Sequence, residues 1–427
     1  MNAPKEINGV PWIFEDAEAE RVGWQNRIAA FENEIAAKIS ILDLELTRTP
    51  IRASTKKRLG LLRAAHVRQR ETVRQLLKSF YPFDSKLYDV TLALRGKIPS
   101  SQGLVNYTSN VLRDWGPHAN AENHQMIELL RPLLGERSFK RAFVPGSGAG
   151  RLPYDLHQTF PIRETMALDH NPFLSLFANE MAKGATLEWV DFPLSPSSLE
   201  SAAAIEPCRA PEPARSGLRF ALGSVLSIPA NSSRDSPLPF RDFDLIITPW
   251  LIDVIPESFD RFATRMNALL ESEGEWINFG PLGFSDANPS LRFSFDEIKE
   301  VLLESGFEIL NSGERKNTPY LSSPHSSGSR RETLFWFHAK KVQSRAAPKA
   351  HERLPDWIKD SSLSVPALPK LKQIGETSLV FAEVCSLVDG RKSIRTIANE
   401  IALKYGMPPE AAELALKKYL SDQVATS

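Results

Sequence analysis

Residues 143–151 read F-V-P-G-S-G-A-G-R, and an acid, Asp169 of A-L-D-H-N, stands eighteen residues beyond Arg151. An apolar run, a three-glycine turn, an amphipathic segment and a second apolar run ending in an acid make half of a nucleotide-binding βαβ unit. Gly146, Gly148 and Gly150 permit a sharp turn and a close backbone approach to a ligand. Asp169, at the end of the second strand, can accept hydrogen bonds from a ribose diol. A dinucleotide site is spaced G-x-G-x-x-G, whereas this turn is G-x-G-x-G. The shorter turn suits S-adenosylmethionine (SAM), which has no pyrophosphate to cradle. Taken alone, the turn is equally at home as a structural loop.

The 427 residues allow two or three domains and a large core. Lys+Arg and Asp+Glu both number 52, so no net field draws the chain to nucleic acid or an anionic membrane. The two cysteines, Cys208 and Cys385, lie far apart, which supports neither a disulfide framework nor a thiolate metal site. No metal is expected. The N-terminus has no signal-like apolar region and no apolar run reaches membrane-spanning length, so a cytoplasmic location is the expectation.

Residues 1–100 read as a helical extension. Ile35, Ile39, Leu42 and Leu46 fall on one helical face. Arg63, Arg68, Arg70 and Arg74 read as a solvated helix face among acids rather than a nucleic-acid surface. Residues 101–341 carry an α/β pattern, with strands expected at 141–144, 164–168, 187–190, 218–222, 243–248, 274–278 and 333–338. The first five suit a parallel, doubly wound sheet. The Pro-, Ala- and Ser-rich stretch 195–217 reads as a mobile surface insertion, and 342–370 as a linker. Residues 371–427 form a small, mainly helical unit.

Three further stretches carry chemistry. In D-F-D-L-I-I-T-P-W-L-I-D (242–253), Pro249 and Trp250 end a strand on the ligand-binding side of such a sheet, and Asp253 follows within a turn. Asp253 suits a substrate N–H or the N-cap of the next helix. Trp250 suits stacking on a ring or core packing. In W-I-N-F-G-P-L-G-F (276–284) the strand breaks at Gly280, on the same side of the sheet. In N-Y-T-S-N-V-L-R-D-W-G (106–116), Asn110 and Arg113 lie one helical turn apart. Arg113 can take a carboxylate in bidentate fashion or form a surface ion pair.

Together R-D-W (113–115), V-P-G-S-G-A-G-R-L (144–152), I-I-T-P-W-L-I-D (246–253) and W-I-N-F-G-P-L (276–282) closely resemble the carnosine N-methyltransferase family, also called N2227-like, over roughly residues 55 to 340. The resemblance implies a class I methyltransferase fold: a Rossmann-like α/β domain with a seven-stranded, mostly parallel sheet and an N-terminal helical extension. It implies transfer of the SAM methyl group to an imidazole nitrogen of a histidine-containing dipeptide. By that resemblance Arg113 holds SAM, and Asn110 stands where the family often has Gln. Gly146 is the cofactor glycine, and Asp169 lies near the acidic ribose ligand. Ser224 and Val225 replace an Asp-Phe adenine contact, Pro249 forms a cofactor wall, and Asp253 binds substrate. Ser285 stands where the family has a substrate histidine, and Tyr320 is the available late tyrosine. The cofactor half of the pattern is kept and the substrate half is altered. A scaffold or peptide-binding protein with a degenerate methyltransferase core is the alternative. Residues 371–427 resemble small winged-helix PqqD-type domains, which implies recruitment of a peptide; an ordinary helical appendage accounts for the same pattern.

Overall fold

The structure, a computed structural model, describes residues 6–14, 17–82, 104, 109–193, 195–226, 228, 240–285, 288–322, 326, 328–348, 362–367 and 369–426. They fall into two compact units, residues 1–350 and 351–427.

The first unit opens with two short strands, β1 (Glu6–Ile7) and β2 (Val10–Ile13), and two long helices, α1 (Ala17–Thr47) and α2 (Ala53–Leu76). Then come α3 (Ser109–Trp115), α4 (Asn120–Leu134), β3 (Phe139–Pro145), α5 (Arg151–Thr159), β4 (Ile162–Asp169) and α6 (Pro172–Ala182). The strands β5 (Thr186–Asp191), β6 (Ala204–Arg209), β7 (Leu218–Gly223) and β8 (Phe243–Pro249) follow. The unit ends with α7 (Phe259–Leu269), β9 (Leu270–Gly280), α8 (Phe295–Glu304), β10 (Phe307–Tyr320) and β11 (Arg330–Lys341).

One sheet runs in the order β1-β2-β7-β4-β3-β8-β9-β11-β10. From β7 to β10 it is the seven-stranded, mostly parallel sheet that the resemblance implies. Strands β7, β4, β3, β8 and β9 are mutually parallel, and β11 and β10 add an antiparallel edge. The strand interiors are apolar because helices cover both faces, as a parallel sheet requires. Phe143, Ile246 and Trp276 pack on one face, with Phe259 and Phe262 of α7. Val144, Ile247 and Ile277 pack on the other, with Ile127 and Leu130 of α4.

Three expectations need correction. The 187–190 strand does not enter the main sheet: β5 pairs antiparallel with β6, and β7 takes the free edge of β4. A short stretch such as L-E-W-V has the same pattern in either setting. The 195–217 stretch therefore is not a loose insertion. It carries β6, buries Cys208, and is tied down by Arg215, which donates to the carbonyls of His157 and Phe160 at the end of α5. The seventh strand is instead β10, whose exposed polar residues and Pro319 hide its strand character. The N-terminal extension is not all helix either. Residues Trp12 and Ile13 of β2 pair with Leu222 and Gly223 of β7. A Cβ at Gly223 would lie 2.3 Å from the Ile13 carbonyl oxygen, so glycine permits this pairing.

Three arginines of α2 are held by acids. Arg63 pairs with Asp43, Arg68 with Glu188, and Arg74 reaches Glu32 through Nε at 2.7 Å and Nη2 at 2.6 Å. No helix among the described residues is long and apolar enough to cross a membrane.

The second unit comprises α9 (Pro369–Ser386), α10 (Ile394–Tyr405) and α11 (Pro409–Thr426). Ile397, Ile401 and Leu416 form its core, and no strand occurs among its described residues. Ser393 caps α10, its hydroxyl accepting from Thr396 N, and Gly406 ends that helix in the left-handed region.

At the base of the sheet Glu275 accepts from Arg137 and bonds His338 Nε2 at 2.7 Å. Burial tends to raise the Glu275 pKa, but these partners outweigh it and hold it below the ordinary value. A depressed carboxyl stabilises the fold above its unfolded pKa and loses that contribution as pH falls through the folded one. Glu275→Gln should therefore cost about 1.5–3 kcal/mol at neutral pH, and its deficit should shrink below about pH 4. Urea unfolding at both pH values checks this, and a deficit that does not change with pH would show the contact is not ionic in effect.

Candidate active site

Because the five parallel strands run the same way, their carboxyl ends share one edge. The chain leaves β3 towards β4 on one side and returns to β8 on the other, and the crevice opens where these directions diverge. A cavity of about 150 Å³ lies there, roughly ten times what one water needs. Its wall includes Asn110, Arg113, Gly146, Gly148, Asp169, Pro249 and Trp250, which seven the sequence singled out. It also includes Glu122, Asn123, Ser147, His170, Asn171, Leu251, Val254 and Tyr320.

The glycine turn explains how the backbone reaches the cavity. Gly146, Gly148 and Gly150 all have left-handed φ, at 65°, 58° and 89°. A Cβ on Gly146 would lie 2.6 Å from Leu251 Cδ1, so the turn and the β8 loop meet there. A Cβ on Gly148 would meet no atom within 4 Å and would project into open space. Gly150 does something different. It caps α5, and a Cβ on it would strike Ala178 at 2.5 Å and Phe220 at 2.8 Å, so it lets helix and sheet pack rather than lining the cavity.

Asp169 ends β4 and is buried. Its Oδ2 accepts from Gly148 N at 2.8 Å and its Oδ1 from Asn171 N at 2.9 Å. Each oxygen keeps a further lone pair for a ligand. Beside it Ser147 Oγ and Asn171 Nδ2 are buried and bond no protein atom. A cradle with left-handed glycines, an acceptor carboxylate and unsatisfied donors fits an adenosyl group.

Arg113 stands across the cavity on α3, where Nε donates to Asp114 Oδ1 at 2.7 Å and Glu122 lies 4.0 Å away. Burial opposes its charge, but Asp114, Tyr320 and Glu122 outweigh that and keep the guanidinium charged. The ion pair is thus with the neighbouring buried acid and not with a surface residue. Glu122 also accepts from Leu321 N, Ser322 N and Ser322 Oγ, at 3.2, 3.0 and 2.9 Å. It ties α4 to the end of β10. Neither Glu122 nor its partners carry a local sequence motif, so pattern reading missed them.

The remaining wall is aromatic. Trp250 holds φ at 47°, donates Nε1–H to Glu332 Oε2 at 2.9 Å, and lies 5.5 Å from the Tyr320 ring. A Cβ on Gly280 would come within 3.0 Å of Trp250 Cα, so that glycine admits the tryptophan backbone. Arg113 and Arg330 stand over the Tyr320 ring at 5.3 and 4.3 Å.

Besides Gly150, four expected residues lie off this wall. Val225 is buried in the core with Ile228 and Phe240, and Ser224 Oγ accepts from Leu226 N at 3.2 Å. Ser285 is exposed beyond the end of β9. Asp253 sits in the turn after β8, adjacent to the wall residue Val254, and Gly283 N donates to its Oδ2 at 2.9 Å. It is not a helix cap, since Ser258 precedes α7. Burial and the nearby Glu332 raise the Asp253 pKa, opposed by the Gly283 bond.

A model of the carnosine N-methyltransferase family matches residues 95–343. The carnosine N-methyltransferase unmet of Drosophila melanogaster is 24% identical over 274 residues, or 57% of this chain and 58% of the fly protein. That of Schizosaccharomyces pombe is 24% identical over 299 residues, 60% of this chain and 71% of the yeast protein. That of Rattus norvegicus is 26% identical over 216 residues, 46% of this chain and 52% of the rat protein. The chain therefore spans about half to seven-tenths of the curated relatives it matches.

The two glycine roles separate on one pair of variants. Gly148→Ala and Gly150→Ala share the left-handed strain of about 1–2 kcal/mol, but only the second adds overlap with Ala178 and Phe220. Gly150→Ala should lose clearly more stability in urea unfolding. Gly148→Ala should instead weaken binding of S-adenosylhomocysteine, measured by calorimetry. Equal stabilities, with affinity unchanged in both, would contradict this division.

Proposed function

This chain belongs to the carnosine N-methyltransferase family, and from that membership we propose that it transfers the methyl group of SAM to an imidazole nitrogen of a small histidine-containing compound. The observation that carries this reading is that Arg113, Gly146, Gly148 and Asp169 converge on one cavity, inside the matched segment. When bound, SAM supplies a methyl group on a sulfonium, which leaves without acid assistance. The protein's task is then alignment and exclusion of water.

Each side of the cavity has a part in that task. Arg113, oriented by its Nε bond to Asp114, offers its terminal nitrogens to the methionine carboxylate. Asp169 takes the ribose hydroxyls. Trp250, Tyr320 and Pro249 give a planar acceptor an apolar wall. Asp253, its Oδ2 fixed by Gly283, accepts one imidazole N–H beyond that wall, which selects the tautomer whose other nitrogen is nucleophilic.

In this reading residues 101–341 are the transferase and 1–100 its extension. A cytoplasmic setting suits two cysteines that are both unpaired. Peptide recruitment by residues 371–427 draws on apolar side chains that this unit exposes: Leu379, Phe381, Leu403 and Leu414. It would make a histidine-containing peptide, not only a dipeptide, an acceptor.

Two measurements test the reading. With labelled SAM, transfer to histidine dipeptides, free histidine and longer peptides should appear for at least one, and transfer to none would favour a degenerate scaffold. On the best acceptor, Asp253→Asn should keep S-adenosylhomocysteine affinity, because an amide oxygen can still accept from Gly283. Turnover should fall roughly 10²-fold or more. An equally active Asp253→Asn enzyme would reduce Asp253 to a clamp between two loops.

A further inference from the structure

The first turn of α4 reaches two sides of the cavity through neighbouring side chains. Asn123 Nδ2 donates to Arg113 O at 2.8 Å and so holds the helix that carries the arginine. Glu122 reaches instead to the end of β10. Its Oε1 accepts from Leu321 N at 3.2 Å, and its Oε2 from Ser322 N at 3.0 Å and Ser322 Oγ at 2.9 Å. Both side chains are buried, and both line the cavity.

The three bonds of Glu122 hold a strained piece of chain. Leu321 is buried and has a left-handed φ of 53°, which costs a residue with a side chain about 1–2 kcal/mol. Tyr320, directly before it, gives its ring to the cavity wall, 5.5 Å from the Trp250 ring and with the Arg113 guanidinium 5.3 Å over it. A carboxylate suits this place, because its two oxygens can together take two adjacent N–H groups and a hydroxyl. Arg113 does not need it as a counter-ion. Its Nε is already bonded to Asp114 at 2.7 Å, whereas Glu122 lies 4.0 Å away.

We propose that Glu122 is a positioning residue for the methyl acceptor, holding the end of β10 so that Tyr320 stands against Trp250 and Arg113. The inference rests on the methyl-transfer reading above and adds how its acceptor wall is held. Glu122 does not hold the cofactor. Its charge lies beside Arg113 on the cavity wall, where it opposes any ligand carboxylate that pairs with the same guanidinium. Removal of the charge should therefore loosen the acceptor without loosening the cofactor.

The test uses the full chain, with S-adenosylhomocysteine in calorimetry and labelled SAM at saturation in initial-rate assays. Carnosine, free histidine and longer histidine peptides are the acceptors, and KM is read on whichever is methylated. In Glu122→Gln one amide oxygen replaces two carboxylate oxygens, so at least one of the three bonds is lost. The acceptor KM should rise about tenfold or more, while S-adenosylhomocysteine binds as tightly as to wild type or more tightly. Ser322→Ala removes one bond at the partner and should raise the same KM about three- to tenfold, with S-adenosylhomocysteine affinity unchanged. A brace with a merely structural role would weaken both ligands together, so parallel losses in Glu122→Gln would overturn the assignment. If Glu122→Gln fails to fold, Ser322→Ala decides alone by the same two readings. A wild-type chain that methylates none of these acceptors overturns the methyl-transfer reading, and this inference with it. Transfer by wild type that Glu122→Gln matches in acceptor KM overturns only the inference.

Discussion

The Asp169 carboxylate joins the two strand ends on which the cavity is built. One oxygen accepts from Gly148 in the turn after β3, and the other from Asn171 at the start of α6. With the bond from Ser147 N to Leu168 O at 3.1 Å, that bridge fastens the glycine turn to the end of β4. Of the two bonds, the bridge is the one that holds the left-handed Gly148. The bridge also consumes backbone donors that would otherwise face a ligand. Ligand selection at this end is therefore left to side chains, chiefly the second lone pairs of Asp169 itself.

A second network fixes α3 to the same turn. Trp115 Nε1 donates to Ala149 O at 2.6 Å, and Arg151 donates to Asp114 O, Asp155 and the Asn120 side chain. Arg151 also stands over the Trp115 ring at 5.5 Å. A helix of seven residues is too short to hold its own shape in water. Here its far end is pinned by an indole and a guanidinium, so Arg113 is presented from a fixed base. The R-D-W string thus has three separate jobs: Arg113 faces the cavity, Asp114 balances it, and Trp115 anchors both.

What the sequence revealed follows from how local each feature is. The turn, Asp169 and the strand ends at Pro249 and Gly280 are read from a few adjacent residues, because glycine spacing and apolar runs are local signals. Arg113 was legible only through a string with a fixed order relative to the turn. Glu122 was not legible, since its bonds reach Leu321 and Ser322, 199 and 200 residues along the chain. Gly150 shows the converse error: its spacing belongs to the motif, but the atoms it makes room for are Ala178 and Phe220, which no spacing names. Strand β10 escaped because an edge strand is exposed along much of its length and its alternation is weak.

The division between local and long-range features is also a division between the two ends of the cavity. On the reading proposed above, the adenosyl end draws on one continuous stretch, residues 145–171, joined across by the Asp169 side chain. On the same reading, the acceptor end draws on the β8 loop, the end of β10 and the start of β11, where Trp250 meets Tyr320 and Glu332. A substitution at the first end disturbs left-handed backbone and the Asp169 bridge together, so few residues are tolerated there. At the second end the contacts are between side chains on separate elements, and one can change while the sheet stays intact. That asymmetry accounts physically for a chain that keeps the family's glycine turn and Arg113 while carrying Ser285 where the resemblance calls for a histidine. The side-chain contacts of that second end join the antiparallel edge, through Tyr320 and Glu332, to Trp250 in the loop after the parallel strand β8.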